Sequence, residues 1–306
     1  MAFVKAEREK VWIKLLLEGA SGSGKSYSAL RVATGLAKKC NSRVAYIGTE
    51  GSRDKYYANE FDYDLMQLDE NHRTPEDYIN AINDAVDGGY KVVIIDSLTH
   101  EWTWLNETHN KMSGNSFQNW GKLKPRHKRF MDTVLLSPIH VIATARGKDE
   151  YVMEEKNGKS VPRKVGMGSQ HDKDIAYEYT ASLMIEQDTH IASADKDNTH
   201  LFDGRYDVLT EKDGESLYAW ANQSDKPAQM PEPQKFEEAK PTGDEVDEIK
   251  KQILVAWKER GGSKNPQIGE VVKRLGNPNA LKDVNSAKEY LTAVENIPVA
   301  ESMTHD

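Results

Sequence analysis

Cysteine is nearly absent: Cys40 is the single one in 306 residues. One thiol cannot close an internal disulfide, and it excludes a cysteine-ligated zinc finger. No apolar run approaches the ~18 residues of a membrane-spanning helix. Met1 to Lys10 mixes charges without an apolar stretch, so the start does not read as a signal peptide. Positive charge is in deficit, with 41 Lys and Arg against 49 Asp and Glu and a net charge of −8. That balance excludes coating of nucleic acid by bulk charge and confines any such contact to local patches. The nine histidines form no ligand-spaced cluster. His100-Glu101 opens like a zinc-protease motif, but Trp104 stands where its second histidine belongs. These features point to a cytoplasmic, reducing compartment with no membrane partner.

Proline is sparse and concentrated: four of the eleven fall in residues 224–244, a stretch poor in large apolar side chains. Proline fixes φ and removes a backbone donor, so this run resists helix and sheet. The expected organisation is a core over 1–222, a linker over 223–244 and a small helical C-terminal domain over 245–306. In the core, apolar runs at Ile13–Leu17, Arg43–Ile47, Val92–Ile95, His140–Ala143 and Leu183–Ile185 read as strands. Lys25–Lys39 and Pro75–Val86, the latter with Thr74 as N-cap, have helical spacing. Continuous apolar strands joined by helices indicate an α/β fold, a mainly parallel sheet covered on both faces. Alternation near Thr189–Ala194 suggests an antiparallel addition at one edge. After the linker, 245–260, 267–275 and 286–294 read as short helices, either an independent binding domain or a docked appendage.

Gly19, Ala20, Ser21, Gly22, Ser23, Gly24, Lys25 and Ser26 fit G-x-x-x-x-G-K-[ST], and they lie between a strand and a helix as that motif requires. Glycines let backbone N–H groups turn inward around phosphates at the positive end of a helix dipole. Lys25 supplies charge to the β- and γ-phosphates, and the Ser26 hydroxyl is a Mg²⁺ ligand. A nucleoside triphosphate with Mg²⁺ is therefore expected, and with no guanine-reading N-K-x-D motif in the sequence the nucleotide is taken as ATP. Val92–Asp96 is an aliphatic strand ending in a carboxylate, which suits a second Mg²⁺ contact at Asp96. Ser97 follows it, so the base that activates water must come from elsewhere. Strand C-termini of a parallel sheet gather at one edge, which makes Glu50 the leading base and Glu101 the second. A loop-starting surface carboxylate is the plainer role for Glu50.

Gly19–Leu30 (GASGSGKSYSAL), Val44–Glu50, Val92–Trp102, Val141–Arg146, Lys164–Gly166, Tyr177–Tyr179 and Ser193–Asp197 together resemble the RecA core. The likeness covers roughly residues 3–220 and is nearer to phage-encoded RecA-like ATPases of the single-strand annealing and recombination type. It implies a RecA-like P-loop NTPase fold and ATP-driven assembly, as a ring or filament of identical subunits, on single-stranded DNA in a bacterial host's cytoplasm. It also implies a sensor position after the His140–Ala143 strand, where Thr144 or Arg146 meets the γ-phosphate or its water. By the same likeness Lys196 is a candidate for reaching a neighbouring subunit's nucleotide, although it stands alone between two acids where RecA has a pair. Tyr27, next after the loop, is counted with the nucleotide-binding stretch, with packing as its plainer role.

Two basic patches stand out. Lys122, Lys124, Arg126, Lys128 and Arg129 fall within eight residues flanked by Trp120 and Phe130, and Lys156, Lys159, Arg163 and Lys164 surround an Asn157-Gly158 hairpin signal. Such charges can neutralise phosphates while neighbouring aromatics stack on bases, or they can be solvated surface. The reading is an ATP-hydrolysing protein of phage recombination or replication, its C-terminal domain engaging a single-strand-binding or replication protein. The alternative is a loader or nucleotide-sensing accessory module with little hydrolysis.

Overall fold

Runs of aliphatic residues fill the middle of the molecule because both faces of the sheet they form are covered. The computed structural model describes residues 3–156, 159–169, 175–228, 243–262, 265–281 and 284–298. The strands are β1 (Lys14–Gly19), β2 (Val44–Gly48), β3 (Tyr63–Gln67), β4 (Val92–Asp96), β5 (His140–Lys156), β6 (Lys159–Ser169), β7 (Ala181–Ile185) and β8 (Ala192–Asp197). They form one sheet in the order β3-β2-β4-β5-β1-β7-β8, with β6 paired to β5. The pairs β3/β2, β2/β4, β4/β5, β5/β1 and β1/β7 are parallel, while β7/β8 and β5/β6 are antiparallel. This is the mainly parallel, RecA-like P-loop NTPase architecture expected from the sequence.

Alternate strand residues face opposite layers. Leu15 and Leu17 join α1 (Lys25–Cys40) and α6 (Glu211–Ala221) through Leu30, Leu36 and Leu217. Leu16 joins α2 (Pro75–Asp87) and α4 (Ser116–Leu136) through Tyr78, Ile82, Phe130 and Val134. Helix α2 starts where expected: Thr74 Oγ1 accepts from Asp77 N at 3.2 Å, and the Asp77 carboxylate accepts from Thr74 N at 2.9 Å. That reciprocal pair satisfies two otherwise orphaned donors at the helix start.

The sequence reading differs from the structure in several places. β3 was not expected, because Tyr63–Gln67 is a half-exposed edge strand whose polar content masks its period. The edge addition is shifted: β8 begins at Ala192, and Glu186 N donates to Ile191 O at 2.9 Å across the turn before it. Residues 99–136, left without an element, form α3 (Thr99–Lys111) and α4. The start of the proposed linker is tied to the core, since Lys10 N donates to Lys226 O at 3.0 Å and Ser224 Oγ to Arg8 O at 2.6 Å. Residues 229–242 of that linker lie outside the described residues. The short helix α5 (Ile175–Glu178) precedes β7.

The chain separates into two units, Met1–Pro231 and Glu232–Asp306. The second contains α7 (Gly243–Glu259), α8 (Pro266–Leu275), a 3-10 turn at Pro278–Ala280 and α9 (Val284–Glu295). Ile249, Ile253, Ile268, Tyr290 and Val294 give it a core of its own.

In the first unit α1 and α6 touch backbone to backbone. A Cβ on Gly35 would stand 1.9 Å from Glu211 O, and one on Gly214 would stand 2.1 Å from Val32 O. Gly35→Ala therefore forces the helices apart and should destabilise the protein by about 2 kcal/mol, the scale of an overpacked core. Denaturant unfolding followed by circular dichroism measures it, with Gly121→Ala in α4 as the control, where an added Cβ meets no packed neighbour and helix propensity alone should stabilise by roughly 0.5–1 kcal/mol.

Candidate active site

The sheet order decides what meets what. β5 lies between β1, which leads into the glycine loop, and β4, which ends in Asp96. Register sets Leu17 opposite Thr144 and Ile95 opposite Ala143, so the loop, Asp96 and the end of β5 share the sheet's C-terminal edge. A cavity of about 650 Å³ opens there, lined among others by Gly22, Lys25, Ser26, Glu50, Asp96 and Arg146.

Gly22 and Gly24 hold φ at 81° and 87°, a region that side-chain-bearing residues avoid. These two positions let the chain fold over the start of α1. Lys25 Nζ donates to the carbonyls of Gly19 at 2.9 Å and Ala20 at 2.7 Å, so the ammonium lies inside the loop's curve. Burial lowers the Lys25 pKa, the nearby Asp96 carboxylate opposes that shift and Arg146 adds to it. Ser21, Gly24 and Tyr27 also line the cavity, while Ser23 is fully buried beneath it. Tyr27 packs edge-on against Tyr57 and Phe61, and its hydroxyl donates to Glu60 Oε2 at 3.1 Å.

Asp96 is 3 % exposed and accepts three hydroxyl hydrogen bonds. Ser26 Oγ donates to Oδ2 at 2.5 Å, Tyr46 to Oδ2 at 2.6 Å and Thr144 Oγ1 to Oδ1 at 2.5 Å. These donors come from α1, β2 and β5. Ser26 and Asp96 already touch, and both offer hard oxygen, which fits Mg²⁺ in a site completed by water and phosphate. No cluster of three or more His, Cys, Asp or Glu suited to a metal occurs among the described residues. Held by Ser26 and Asp96, Mg²⁺ would supply neutralisation of the nucleotide's phosphate charge.

Glu50 follows β2 and faces the same cavity. Arg146 NH2 donates to Glu50 Oε1 at 2.7 Å, Arg53 lies 3.6 Å from Oε2 and His100 Nε2 lies 3.8 Å from Oε1. Burial pushes the Glu50 pKa up, but the Arg146 hydrogen bond and charge, helped by His100 and Arg53, bring it below the usual value. Of the two sensor candidates, Thr144 is fully buried behind Asp96 and Arg146 reaches the cavity. Glu101 is fully buried in α3, with both carboxylate oxygens 3.1 Å from His127 Nδ1, and does not line the cavity.

Outside this centre the candidates scatter. Lys196 Nζ donates to Tyr177 O and, at 2.7 Å, to Tyr179 O, so its ammonium is held within its own chain. The 122–129 patch is the middle of α4. Arg126 makes a two-pronged bond to Glu76 at 2.9 and 2.6 Å, Arg129 lies 3.5 Å from the same carboxylate and Lys128 bonds Asp132. Lys122 and Lys124 are exposed. The second patch falls on the β5–β6 hairpin, whose register pairs Lys156 with Lys159, Val152 with Arg163 and Tyr151 with Lys164. The side chains of Lys156, Lys159, Arg163 and Lys164, and residues 157–158, lie outside the described part of the structure.

The sequence reading missed Tyr46, Arg53, Asp54 and His100. A phenol in an aliphatic strand is the cue for Tyr46. Asp54 Oδ1 accepts from Glu50 N at 3.2 Å, and no sequence spacing announces that contact.

Residues 12–219 match the model of a family described as AAA domain. The chain belongs to that family. Membership makes this a nucleotide-binding ATPase fold, a class that generally takes its nucleotide with Mg²⁺. Comparison with curated proteins yields no match. Among solved structures, the AAA domain chain is similar to a KaiC-like protein from the hyperthermophilic archaeon Pyrococcus horikoshii OT3. That likeness has 12 % identity and a TM-score of 0.37, over 63 % of this chain and 82 % of the other. No helix among the described residues is long and apolar enough to cross a membrane.

Two substitutions separate phosphate from metal. Lys25→Ala should abolish tight ATP binding with or without Mg²⁺. Asp96→Asn should weaken binding ~10-fold or more with Mg²⁺ present, the scale of a lost metal contact, and EDTA should erase that difference. Titration with a fluorescent ATP analogue measures both.

Proposed function

We propose that this chain hydrolyses MgATP and uses the cycle to act on single-stranded DNA as a homo-oligomer in phage recombination or replication. The observation that carries the hydrolytic part is one cavity lined by Lys25, Ser26, Asp96, Glu50 and Arg146. Lys25 and the loop N–H groups bind the phosphates, with Ser26 and Asp96 as the Mg²⁺ contacts. Glu50, ionised because its pKa is held low, orients and deprotonates the attacking water. Arg146 turns from Glu50 to the γ-phosphate as negative charge develops there, and a guanidinium suits that task. Thr144 and Tyr46 fix the Asp96 carboxylate so that it need not reorganise.

The DNA part is supported by the resemblance to RecA-like recombination ATPases and by four basic residues on the β5–β6 hairpin. In α4 Lys122 and Lys124 are candidates because both are exposed, and Arg126, Lys128 and Arg129 hold carboxylates. With a net charge of −8, DNA contacts must be summed over subunits rather than made by one. The proposed division of labour gives 1–222 the ATPase, 223–244 the linker and 245–306 the contact to a single-strand-binding or replication protein. The intended compartment is the bacterial cytoplasm.

Glu50→Gln should keep nucleotide affinity and lower turnover by ~10²-fold or more, the scale of a lost general base. Steady-state ATPase assays with and without single-stranded DNA measure it, and unchanged turnover in that variant removes the assignment. Neutralising Lys156, Lys159, Arg163 and Lys164 together should weaken DNA binding without changing nucleotide affinity. Wild-type DNA binding should fall steeply between 50 and 200 mM salt, as phosphate contacts require. Light scattering with a non-hydrolysable ATP analogue should detect larger particles. A strictly monomeric chain that ignores single-stranded DNA points to the loader or sensor instead.

A further inference from the structure

Glu50 and Arg146 cannot both do their proposed work while they hold each other. Once Arg146 turns to the γ-phosphate, Glu50 loses its 2.7 Å donor and needs another to keep its carboxylate aimed at the water. One ring stands beside both. His100 Nε2 is 3.4 Å from Arg146 NH2 and 3.8 Å from Glu50 Oε1, and the side chain is largely buried. Its other nitrogen, Nδ1, is 2.7 Å from Thr49 Oγ1.

Thr49 makes this anchorage rigid. It is the neighbour of Glu50 in the chain, 1 % exposed, and its N–H donates to Asp96 O at 2.8 Å. Its hydroxyl oxygen accepts from Ser97 N at 2.9 Å and lies 3.0 Å from Asp96 O. The hydroxyl proton has two acceptors available, Asp96 O and His100 Nδ1. If it goes to Asp96 O, Nδ1–H donates to Thr49 and Nε2 accepts from Arg146. If it goes to Nδ1, Nε2–H is the donor and Glu50 is the carboxylate beside it. The first tautomer has partners for both nitrogens as the ring stands, and the second needs Glu50 to close the 3.8 Å gap to Nε2 by under an ångström. Burial and the charges of Arg73 and Arg146 keep the imidazole neutral, against the pull of Glu50 and Asp96.

We propose that His100 is a positioning residue for Glu50: tethered through Thr49 to the strand end that carries Asp96, its Nε2–H takes over the carboxylate when Arg146 engages the γ-phosphate. This rests on Glu50 being the base.

The test uses the full chain with MgATP, measuring steady-state kcat and KM, analogue affinity and thermal melting. His100→Ala should lower kcat by ~10-fold or more, the scale of a misplaced catalytic group, with KM and affinity within about twofold. A glutamine amide N–H stands near Nε2 and an asparagine amide near Nδ1, so His100→Gln should retain more activity than His100→Asn. That comparison also decides the matter if the alanine variant melts near the assay temperature. Adding His100→Ala to Glu50→Gln should cost no further turnover, because positioning a lost base has no effect. The proposal is overturned by wild-type kcat in His100→Ala, by asparagine matching or exceeding glutamine, or by the same fold-loss on the Glu50→Gln background. Full turnover in Glu50→Gln alone instead removes the base assignment on which it rests.

Discussion

The carboxylate of Asp96 is the point on which the site depends. Three hydroxyls converge on it, from Ser26 at the head of α1, Tyr46 in β2 and Thr144 in β5. A buried carboxylate without donors is costly, and one with three is satisfied and held in position. The convergence requires a specific strand order. If β1 and β4 were neighbours, Thr144 could not stand between the loop and Asp96. The topology therefore sets the chemistry as well as the scaffold.

Around that fixed centre lies an adjustable one. Glu50, Arg146, Arg53 and His100 form a cluster in which cations outnumber the carboxylate and keep its pKa low. Fixed groups suit the tasks that are the same at every step, holding phosphate and metal. Exchangeable pairs suit those that change as the γ-phosphate leaves. Asp54, whose own pKa is raised by burial, steadies the Glu50 backbone from below without competing for the same cations.

The sequence carried the parts that depend on local pattern. The glycine loop, the aliphatic strand before Asp96 and the Thr74 cap are written in adjacent residues and lie where spacing placed them. The place of Glu50 on the cavity was legible through one topological rule, that parallel strand ends share an edge. What failed to show was written across the chain. Tyr46 reads as one more strand residue until Asp96 lies 50 positions away in sequence and 2.6 Å away in space. The basic run at 122–129 reads as a ligand surface until Glu76, from another helix, is found bonded to Arg126. β3 is an edge strand with no fully buried residue, so its five positions carry too few apolar side chains in alternation to mark it.

Gly35 and Gly214 give the core a further property. Where two helices meet through side chains, rotamers can shift and absorb a displacement. Here the backbones themselves meet, and a peptide group has no rotamer to yield. Helix α1 begins at the phosphate loop and α6 is the last helix of its unit. A tilt imposed at one end of α1 therefore drives α6 with little slack, as one toothed wheel drives another.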